Sequence, residues 1–265
     1  MAMGRLILIW LVLLIFNIVN SISLVLGKGT LINISPWLTG SLFLVVSLFI
    51  IGLLILRKHT QQNFTAHDLT DNTDINLEAN EFFFQLPLYI VDKQVIPIYG
   101  GEDITYSPYY FNRIHQIFSL LGFYSMYSTH LQSNTNSVKI IAQSPFTLRY
   151  KYNVYLNDDF IGTYEMRKLL KEKGIKQQLP YVFYTKDHTY SLKNDYMRSK
   201  TTILNDNGDI VLQANKRFWD LAKDKHTKKR GEKHTITINN TDDCPELFLA
   251  LYIQAIINRQ TQESA

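Results

Sequence analysis

The sequence predicts a mainly β domain built around a buried C-terminal helix and preceded by a transmembrane helical hairpin. Three observations lead to this fold class. Two uncharged apolar runs, Leu6–Leu26 and Trp37–Leu56, stand near the N-terminus. From Glu81 onward, many short segments rich in aromatic and β-branched residues alternate with turn sequences. The segment Leu247–Ile257 is then apolar on nearly every side of a helix.

The two apolar runs each have about the twenty residues that a helix needs to cross a ~30 Å hydrocarbon layer. A spanning segment must satisfy its own backbone, so both runs are expected to be helices. The connection 27–36 is short and ends in Pro36, which favours an antiparallel hairpin. Residues 1–58 are therefore assigned to a membrane anchor. The alternative for the first run is a cleaved secretory signal, whose apolar core usually has about 7–15 residues.

Basic residues at the ends of the hairpin predict its orientation. Arg5 precedes the first span, and Arg57 and Lys58 follow the second, whereas the loop between the spans holds only Lys28. The positive-inside rule then places the N-terminus and the C-terminal domain on the cytoplasmic side of the cell membrane. The single cysteine, Cys244, excludes an internal disulfide and is compatible with that compartment.

Residues 59–80 are polar and rich in Asn, Thr, Asp and Gln, as is typical of a linker that holds a domain away from the membrane. Four acidic residues in this segment would also be repelled by anionic headgroups: Asp68, Asp71, Asp74 and Glu78. The alternative is a poorly packed first strand. Residues 81–265 are assigned to the C-terminal domain.

Short strands and hairpin turns organise the C-terminal domain. Asn157-Asp158-Asp159 and Asn205–Asp209, which contains an Asn-Gly pair, are the clearest turn signals. Tyr109–Tyr127 is ambiguous, with helical spacing first and a possible strand at Gly122–Tyr127. Repeated short strands favour an antiparallel barrel or sandwich. The predicted strands are Phe82–Val91, Val95–Tyr99, Ser137–Gln143, Phe146–Leu156, Phe160–Met166, Tyr181–Thr185, Thr189–Leu192, Lys200–Leu204, Ile210–Asn215 and His234–Ile238.

The terminal helix is predicted over residues 244–259. Asp243 and Glu246 have the spacing of a capping box, and Pro245 suits a first helical turn. A helix that is apolar all round must be enclosed, and about eleven apolar residues are too few to cross a bilayer. We therefore expect the helix to run through the middle of the β-structure. An interfacial membrane helix is the alternative, but it would need a charged face, and only Gln254 interrupts this one.

Three of these elements together resemble the tubby C-terminal-like superfamily, which includes phospholipid scramblases and LURP-one-related proteins. They are the strand–turn–strand unit Tyr150–Tyr164, the hairpin Thr202–Val211 and the helix Pro245–Ile257. The resemblance covers a pattern of elements from Glu81 to Arg259. It implies a closed antiparallel β-barrel around the hydrophobic helix, and phosphoinositide binding through basic residues of the barrel. In scramblases the terminal helix is the membrane segment, so the separate N-terminal hairpin disfavours lipid scrambling.

The stretch Asn215–His234 is the candidate binding segment. It holds eight basic against three acidic residues. Each basic residue near an anionic membrane contributes about 1 kcal/mol of attraction, and indole rings favour the headgroup level. The alternative is an exposed loop that is basic for solubility, and nucleic-acid binding is disfavoured by the membrane anchor. The candidate lipid- or phosphate-binding residues are Lys216, Arg217, Trp219, Lys223, Lys225, Lys228, Lys229, Arg230 and Lys233.

The inventory of catalytic residues is poor. The seven histidines show no metal-ligand spacing, and Cys244 has no base nearby in the sequence. Gly100-Gly101 lacks the Gly-Lys-Ser/Thr that would make a phosphate-binding loop. We therefore expect no enzymatic activity, no metal and no cofactor.

The function predicted from the sequence is a non-enzymatic, membrane-anchored binding or regulatory module that contacts anionic lipid. The alternative is an accessory subunit or docking protein of a membrane transporter or envelope complex. In that case Asn17 and Asn20 of the first span would make polar contacts within the membrane. The high content of Ile, Asn and Lys is typical of an AT-rich bacterial genome.

Overall fold

The computed structural model is mainly β, with a closed antiparallel barrel, a C-terminal helix and two apolar N-terminal helices. It describes residues 3–29, 34–67, 77–78, 80–86, 92–100, 103–120, 127–144, 149–167, 181–194, 200–217, 232–239 and 244–264.

The N-terminal helices α1 (Met3–Val25) and α2 (Pro36–His67) pack against each other as predicted. The Trp10 indole N–H donates a hydrogen bond to Ser47 Oγ at 2.8 Å. Asn17 Nδ2 donates to Leu13 O at 2.8 Å and approaches Thr39 O of α2 at 3.4 Å. Trp10 and Asn17 of α1 thus lie at the contact with α2.

Both helices are long and apolar enough to cross a membrane, over Leu6–Val25 and Pro36–Leu56. Their apolar side chains are mostly exposed, in contrast to the core helix of a soluble protein: only 6% of each apolar window is buried. Exposed apolar surface of this extent is typical of contact with lipid. Helix α2 continues beyond Leu56 to His67, so the first part of the predicted linker is helical.

Twelve strands form the barrel in the described part of the chain, and each pairs antiparallel with its neighbours in sequence. Strand β1 also pairs with β12, with Glu81 opposite Thr237 and Leu86 opposite Glu232, and this pairing closes the barrel. The strands are β1 Glu81–Leu86, β2 Ile96–Tyr99, β3 Ile104–Tyr110, β4 Tyr127–Gln132, β5 Ser137–Ala142, β6 Lys151–Leu156, β7 Asp159–Met166, β8 Tyr181–Thr185, β9 Thr189–Asn194, β10 Lys200–Leu204, β11 Ile210–Arg217 and β12 Glu232–Ile238.

Two of these strands were not predicted from the sequence. Strand β3 contains Pro108, which lacks the backbone donor of an ordinary strand residue, and in β4 the polar sequence Ser128-Thr129-His130 follows Tyr127. Between them, the ambiguous region contains a helix, α3 (Arg113–Leu120). Residues 87–91 and 146–148 of the predicted strands lie outside the described residues.

The connections of the barrel differ sharply between its two ends. At one end, here called the hairpin end, strands are joined by two to five residues: 100–103, 133–136, 157–158, 186–188 and 205–209. At the opposite end, here called the loop end, the connections have five to sixteen residues: 87–95, 111–126, 143–150, 167–180, 195–199 and 218–231. At the hairpin end, Asn157 and Asp158 both have positive φ, as a type I′ turn requires.

The C-terminal helix α4 (Pro245–Ser264) lies in the lumen of the barrel. Every side chain from Leu247 to Ile257 is at most 9% exposed. The helix contacts strands on all sides: Phe248 packs on Tyr190 of β9, Tyr252 on Phe84 of β1, and the Tyr164 hydroxyl of β7 donates to Leu251 O at 3.1 Å. A barrel wider than eight strands leaves an open interior, and a helix about 10 Å across fills it.

Glu246 holds the start of α4 at the hairpin end. Its carboxylate accepts hydrogen bonds from Ser133 Oγ at 2.7 Å, from Thr135 Oγ1 at 3.3 Å and from the Cys244 thiol at 3.0 Å. Glu246 therefore connects the helix to the β4–β5 turn. Asp243, the other member of the predicted capping box, lies outside the described residues.

Candidate functional site

Charge is segregated between the two ends of the barrel. The six loop-end connections contain fourteen basic and five acidic residues, a net charge of +9. The five hairpin-end connections, with residues 239–244 after β12, contain one basic and eight acidic residues, a net charge of −7. The overall charge of +4 does not show this asymmetry, because it sums both ends and the rest of the chain. A charge distribution of this kind orients a molecule in the field of a charged surface.

The candidate lipid-binding residues belong to the loop end. Lys216 and Arg217 end β11, and Lys233 is the second residue of β12. Trp219, Lys223, Lys225, Lys228, Lys229 and Arg230 lie outside the described residues, in the 218–231 connection that leaves from β11 and returns to β12 at this end.

The pairing of β11 with β12 places the described candidates at two neighbouring positions of the register. Arg217 is opposite Lys233 in the register, and Lys216 is opposite His234, whose side chain is fully buried toward α4. The Lys216 side chain is 9% exposed, and its Nζ lies 2.5 Å from Glu232 Oε1. The Lys216 side chain is thus largely buried and pairs with Glu232.

Glu232 is the centre of a charged cluster inside the loop end. Its carboxylate also accepts a hydrogen bond from Arg259 Nη2 of α4 at 3.0 Å. Burial raises the pKa of this carboxyl, but hydrogen bonds from His234 and Lys216 and the charges of Lys216 and Arg259 outweigh that effect and lower the pKa to about 2. The cluster therefore fixes the C-terminal part of α4 to β11 and β12.

His234 connects the same cluster to the aromatic core. Its ring stacks on Phe84 with centroids 4.7 Å apart, and its Nδ1 lies 2.8 Å from the Tyr252 hydroxyl. Burial lowers the pKa of His234, although Glu232 acts in the opposite direction. The imidazole is therefore expected to be neutral at physiological pH.

A second polar cluster surrounds Asn258 on α4. Its Oδ1 accepts hydrogen bonds from the Tyr152 hydroxyl at 2.7 Å and from Gln254 Nε2 at 3.0 Å, and its Nδ2 donates to the Tyr181 hydroxyl at 3.1 Å. Burial raises the pKa of both tyrosines, so both hydroxyls remain protonated, Tyr152 as a donor to Asn258 and Tyr181 as an acceptor from it. The sequence analysis missed both clusters. The signal was the spacing of Gln254, Asn258 and Arg259, which places polar side chains on the last buried turns of an otherwise apolar helix.

The other side chains that could react chemically lie in surroundings that indicate a structural role. Burial, and then the neighbouring Glu246, raise the pKa of the Cys244 thiol to about 12, which makes it a poor nucleophile. His130 Nε2 lies 3.0 Å from Ser137 Oγ on the outer wall of the barrel. Among the described residues, no group of three His, Cys, Asp or Glu side chains is placed to hold a metal ion.

Comparison of the chain with protein-family models, with curated proteins and with solved structures gives no match.

Proposed function

We propose that this chain is a membrane-anchored, non-enzymatic binding module whose tubby-like barrel faces the cytosol and contacts anionic lipid with its loop end. The observation that carries the proposal is the charge segregation of the barrel, with +9 in the loop-end connections and −7 at the hairpin end. The two apolar helices, which could span a membrane, support the proposed membrane anchor. The resemblance of the element pattern to tubby-like domains supports the same ligand class.

The chain is long enough for the loop end to reach the bilayer. Thirteen residues, 68–80, separate α2 from β1. Fully extended, such a segment spans about 45 Å, whereas a six-residue strand such as β1 is about 20 Å long. The barrel can therefore turn either end to the membrane. Contact between α3, in a loop-end connection, and α1 of the hairpin favours the loop end.

Electrostatics then select the orientation. Each basic residue near an anionic leaflet contributes about 1 kcal/mol, and this attraction falls off within a Debye length of about 8 Å at physiological salt. Acidic groups about one strand length away are largely screened from the membrane. The turned-over orientation would instead place acidic connections against the headgroups. The basic end is thus attracted to the membrane, and the acidic end is expected to point toward the cytosol.

The test uses the full chain reconstituted in nanodiscs of neutral or partly anionic lipid. Lysines are acylated briefly and their modification is quantified by mass spectrometry. We expect anionic lipid to slow the acylation of Lys223, Lys225, Lys228 and Lys229 several-fold, and added salt to restore it, because the contact is electrostatic. Lys186, the single basic residue in the hairpin-end connections, is the internal control and should react equally in both lipids.

Charge reversal provides the matched variants. The triple change Lys228→Glu, Lys229→Glu, Arg230→Glu should abolish the lipid-dependent protection, whereas Lys186→Glu should leave it intact. Identical acylation of the wild-type loop end in neutral and anionic discs would rule out the lipid contact. Loss of a co-purifying membrane protein from the triple variant, without any lipid effect, would instead support the accessory-subunit alternative. For that alternative, Asn17 no longer offers an outward contact, because its amide points to α2.

A further inference from the structure

An exposed apolar patch lies at the loop end beside its basic residues. Val95 in the β1–β2 connection is 61% exposed, and Phe111 and Ile114 in the β3–β4 connection are 56% and 53% exposed. The exposed side chains of Lys93 and Arg113 lie next to them in sequence. We call these five residues the loop-end patch.

Hydrogen bonds hold the β1–β2 connection to the end of β3, where the β3–β4 connection begins. Lys93 N–H donates to Pro108 O at 2.7 Å, and Tyr110 N–H donates to Asp92 Oδ1 at 3.0 Å. Asn112 Oδ1 accepts from the His115 N–H at 2.8 Å and so caps the start of α3. The three apolar side chains therefore project from a fixed part of the barrel.

The patch is close to the start of β12, the strand that follows the basic 218–231 segment of the sequence. In the barrel order, β12 pairs with β1, β1 with β2, and β2 with β3. Adjacent strands are about 4.8 Å apart, so the start of β12 and the start of β2 are separated by about 10 Å at the same end. Apolar side chains flanked by basic ones are the composition of a segment that enters the headgroup region of a bilayer.

We infer that the loop-end patch inserts Val95, Phe111 and Ile114 into the interfacial region of the bilayer that holds the chain's own hairpin. Three observations favour the bilayer as the partner of this surface. α3 is in contact with α1, the connections at this end carry a net positive charge, and the three apolar side chains are exposed in the described part of the chain. The inference rests on the proposed function and adds an apolar, salt-resistant contact to an electrostatic one.

The experiment measures insertion depth with a single fluorescent label. In a Cys244→Ser background, Ile114→Cys is labelled with an environment-sensitive dye and the full chain is reconstituted in anionic nanodiscs containing lipid with a quenching nitroxide. The matched control is Ile210→Cys, an isoleucine 40% exposed at the hairpin end. We expect the label at position 114 to show blue-shifted emission and at least twofold quenching that persists at high salt. The label at position 210 should stay water-like and unquenched.

The two proposals fail in distinguishable ways. An unquenched label at position 114, with lysine protection still present, would overturn insertion and leave the electrostatic contact standing. Loss of both signals would overturn both proposals. Equal quenching at positions 114 and 210 would also overturn the inference, because insertion would not be specific to the loop end. If Ile114→Cys does not fold, Val95→Cys makes the same measurement from the neighbouring connection.

Discussion

At the scale of single residues, Glu232 has the largest consequence for the loop end. It lies between two cations, Lys216 of β11 and Arg259 of α4, and beside the neutral His234. Removing its charge would leave both cations partly buried without this counter-charge. Partly buried charged networks are sensitive to such changes, because the penalty of an uncompensated charge exceeds the value of the pair itself.

We therefore predict that Glu232→Gln lowers the free energy of unfolding by about 2 kcal/mol, less than for a fully buried pair because Glu232 retains 23% side-chain exposure. Denaturant unfolding of the detergent-solubilised chain, followed by the near-ultraviolet signal of its tyrosines, measures the change. Glu165→Gln is the matched control, since Glu165 pairs with Lys151 at 3.4 Å on the exposed wall. Its effect should stay within about 0.5 kcal/mol.

The effect of Glu232→Gln on the free energy of unfolding should depend on pH. The pKa of Glu232 is about 2 in the folded protein, against 4.5 without these interactions. A carboxyl whose pKa is lowered by folding stabilises the protein above its unfolded pKa, and this contribution is lost as the pH falls through the folded pKa. The stability difference between wild type and Glu232→Gln should therefore be constant above pH 5 and shrink toward pH 2. A difference that grows on acidification would contradict the ion-pair assignment.

At the scale of elements, the close approach of β7 and β8 depends on one glycine. A Cβ built on Gly162 would collide with the backbone oxygen of Tyr184 and touch the ring of Phe183. Gly162 pairs with Thr185 of β8 and Val154 of β6, next to the register shift at Val154/Tyr155. The absence of a side chain thus lets three strands keep their spacing at this bulge.

Gly162→Ala should destabilise the barrel by about 2–4 kcal/mol, because backbone atoms must move to accept the methyl group. The comparison is Gly208→Ala in the β10–β11 turn, where φ is +86° and the space is open. That change should lower the free energy of unfolding by only about 1 kcal/mol, because alanine is disfavoured in a backbone conformation with positive φ. Thermal unfolding of the two variants in the same detergent gives the ranking. Equal losses of stability would show that β7 and β8 can separate without penalty.

At the scale of the whole molecule, the charges of the hairpin and the charges of the barrel favour the same orientation in the membrane. The proposed contact of the basic loop end with anionic lipid would require the cytoplasmic leaflet, because that leaflet carries the anionic lipid. The basic residues Arg5, Arg57 and Lys58 favour the same side by the positive-inside rule. The two arguments use different residues and lead to one orientation.

Two of the three glycosylation triplets in the sequence lie C-terminal to the second span and can test that orientation. Asn63 and Asn239 each stand in an Asn-x-Thr sequence. In translation with endoplasmic reticulum microsomes, both should remain unmodified, because a cytosolic barrel is not exposed to the glycosylating lumen. As a control, replacing residues 1–58 with a secretory signal should send the barrel into the lumen and glycosylate Asn239. The measurement uses an Asn33→Gln chain, because the Asn33-Ile34-Ser35 triplet of the hairpin loop faces the lumen in the predicted orientation. An endoglycosidase-sensitive shift of this chain would place the barrel on the opposite side.

The sequence by itself determined the local elements, because their signals are local. Apolar length predicted α1 and α2, turn chemistry predicted the hairpin at Asn157-Asp158, and an all-round apolar surface predicted that Leu247–Ile257 is enclosed. Strands β3 and β4 were not predicted, because Pro108 in β3 and the polar residues of β4 weaken the strand pattern of the sequence. Pairing with neighbouring strands nevertheless holds both of them in the sheet.

Only the tertiary structure decided which residues lie close together in space. Lys216 and Arg217 are neighbours in the sequence and equal contributors to a basic stretch, yet alternation along β11 directs Lys216 inward to Glu232. The opposite charges of the two barrel ends are equally invisible in the sequence, since basic and acidic connections alternate along the chain. Antiparallel closure brings every second connection to the same end, and this topology collects scattered residues into one basic surface.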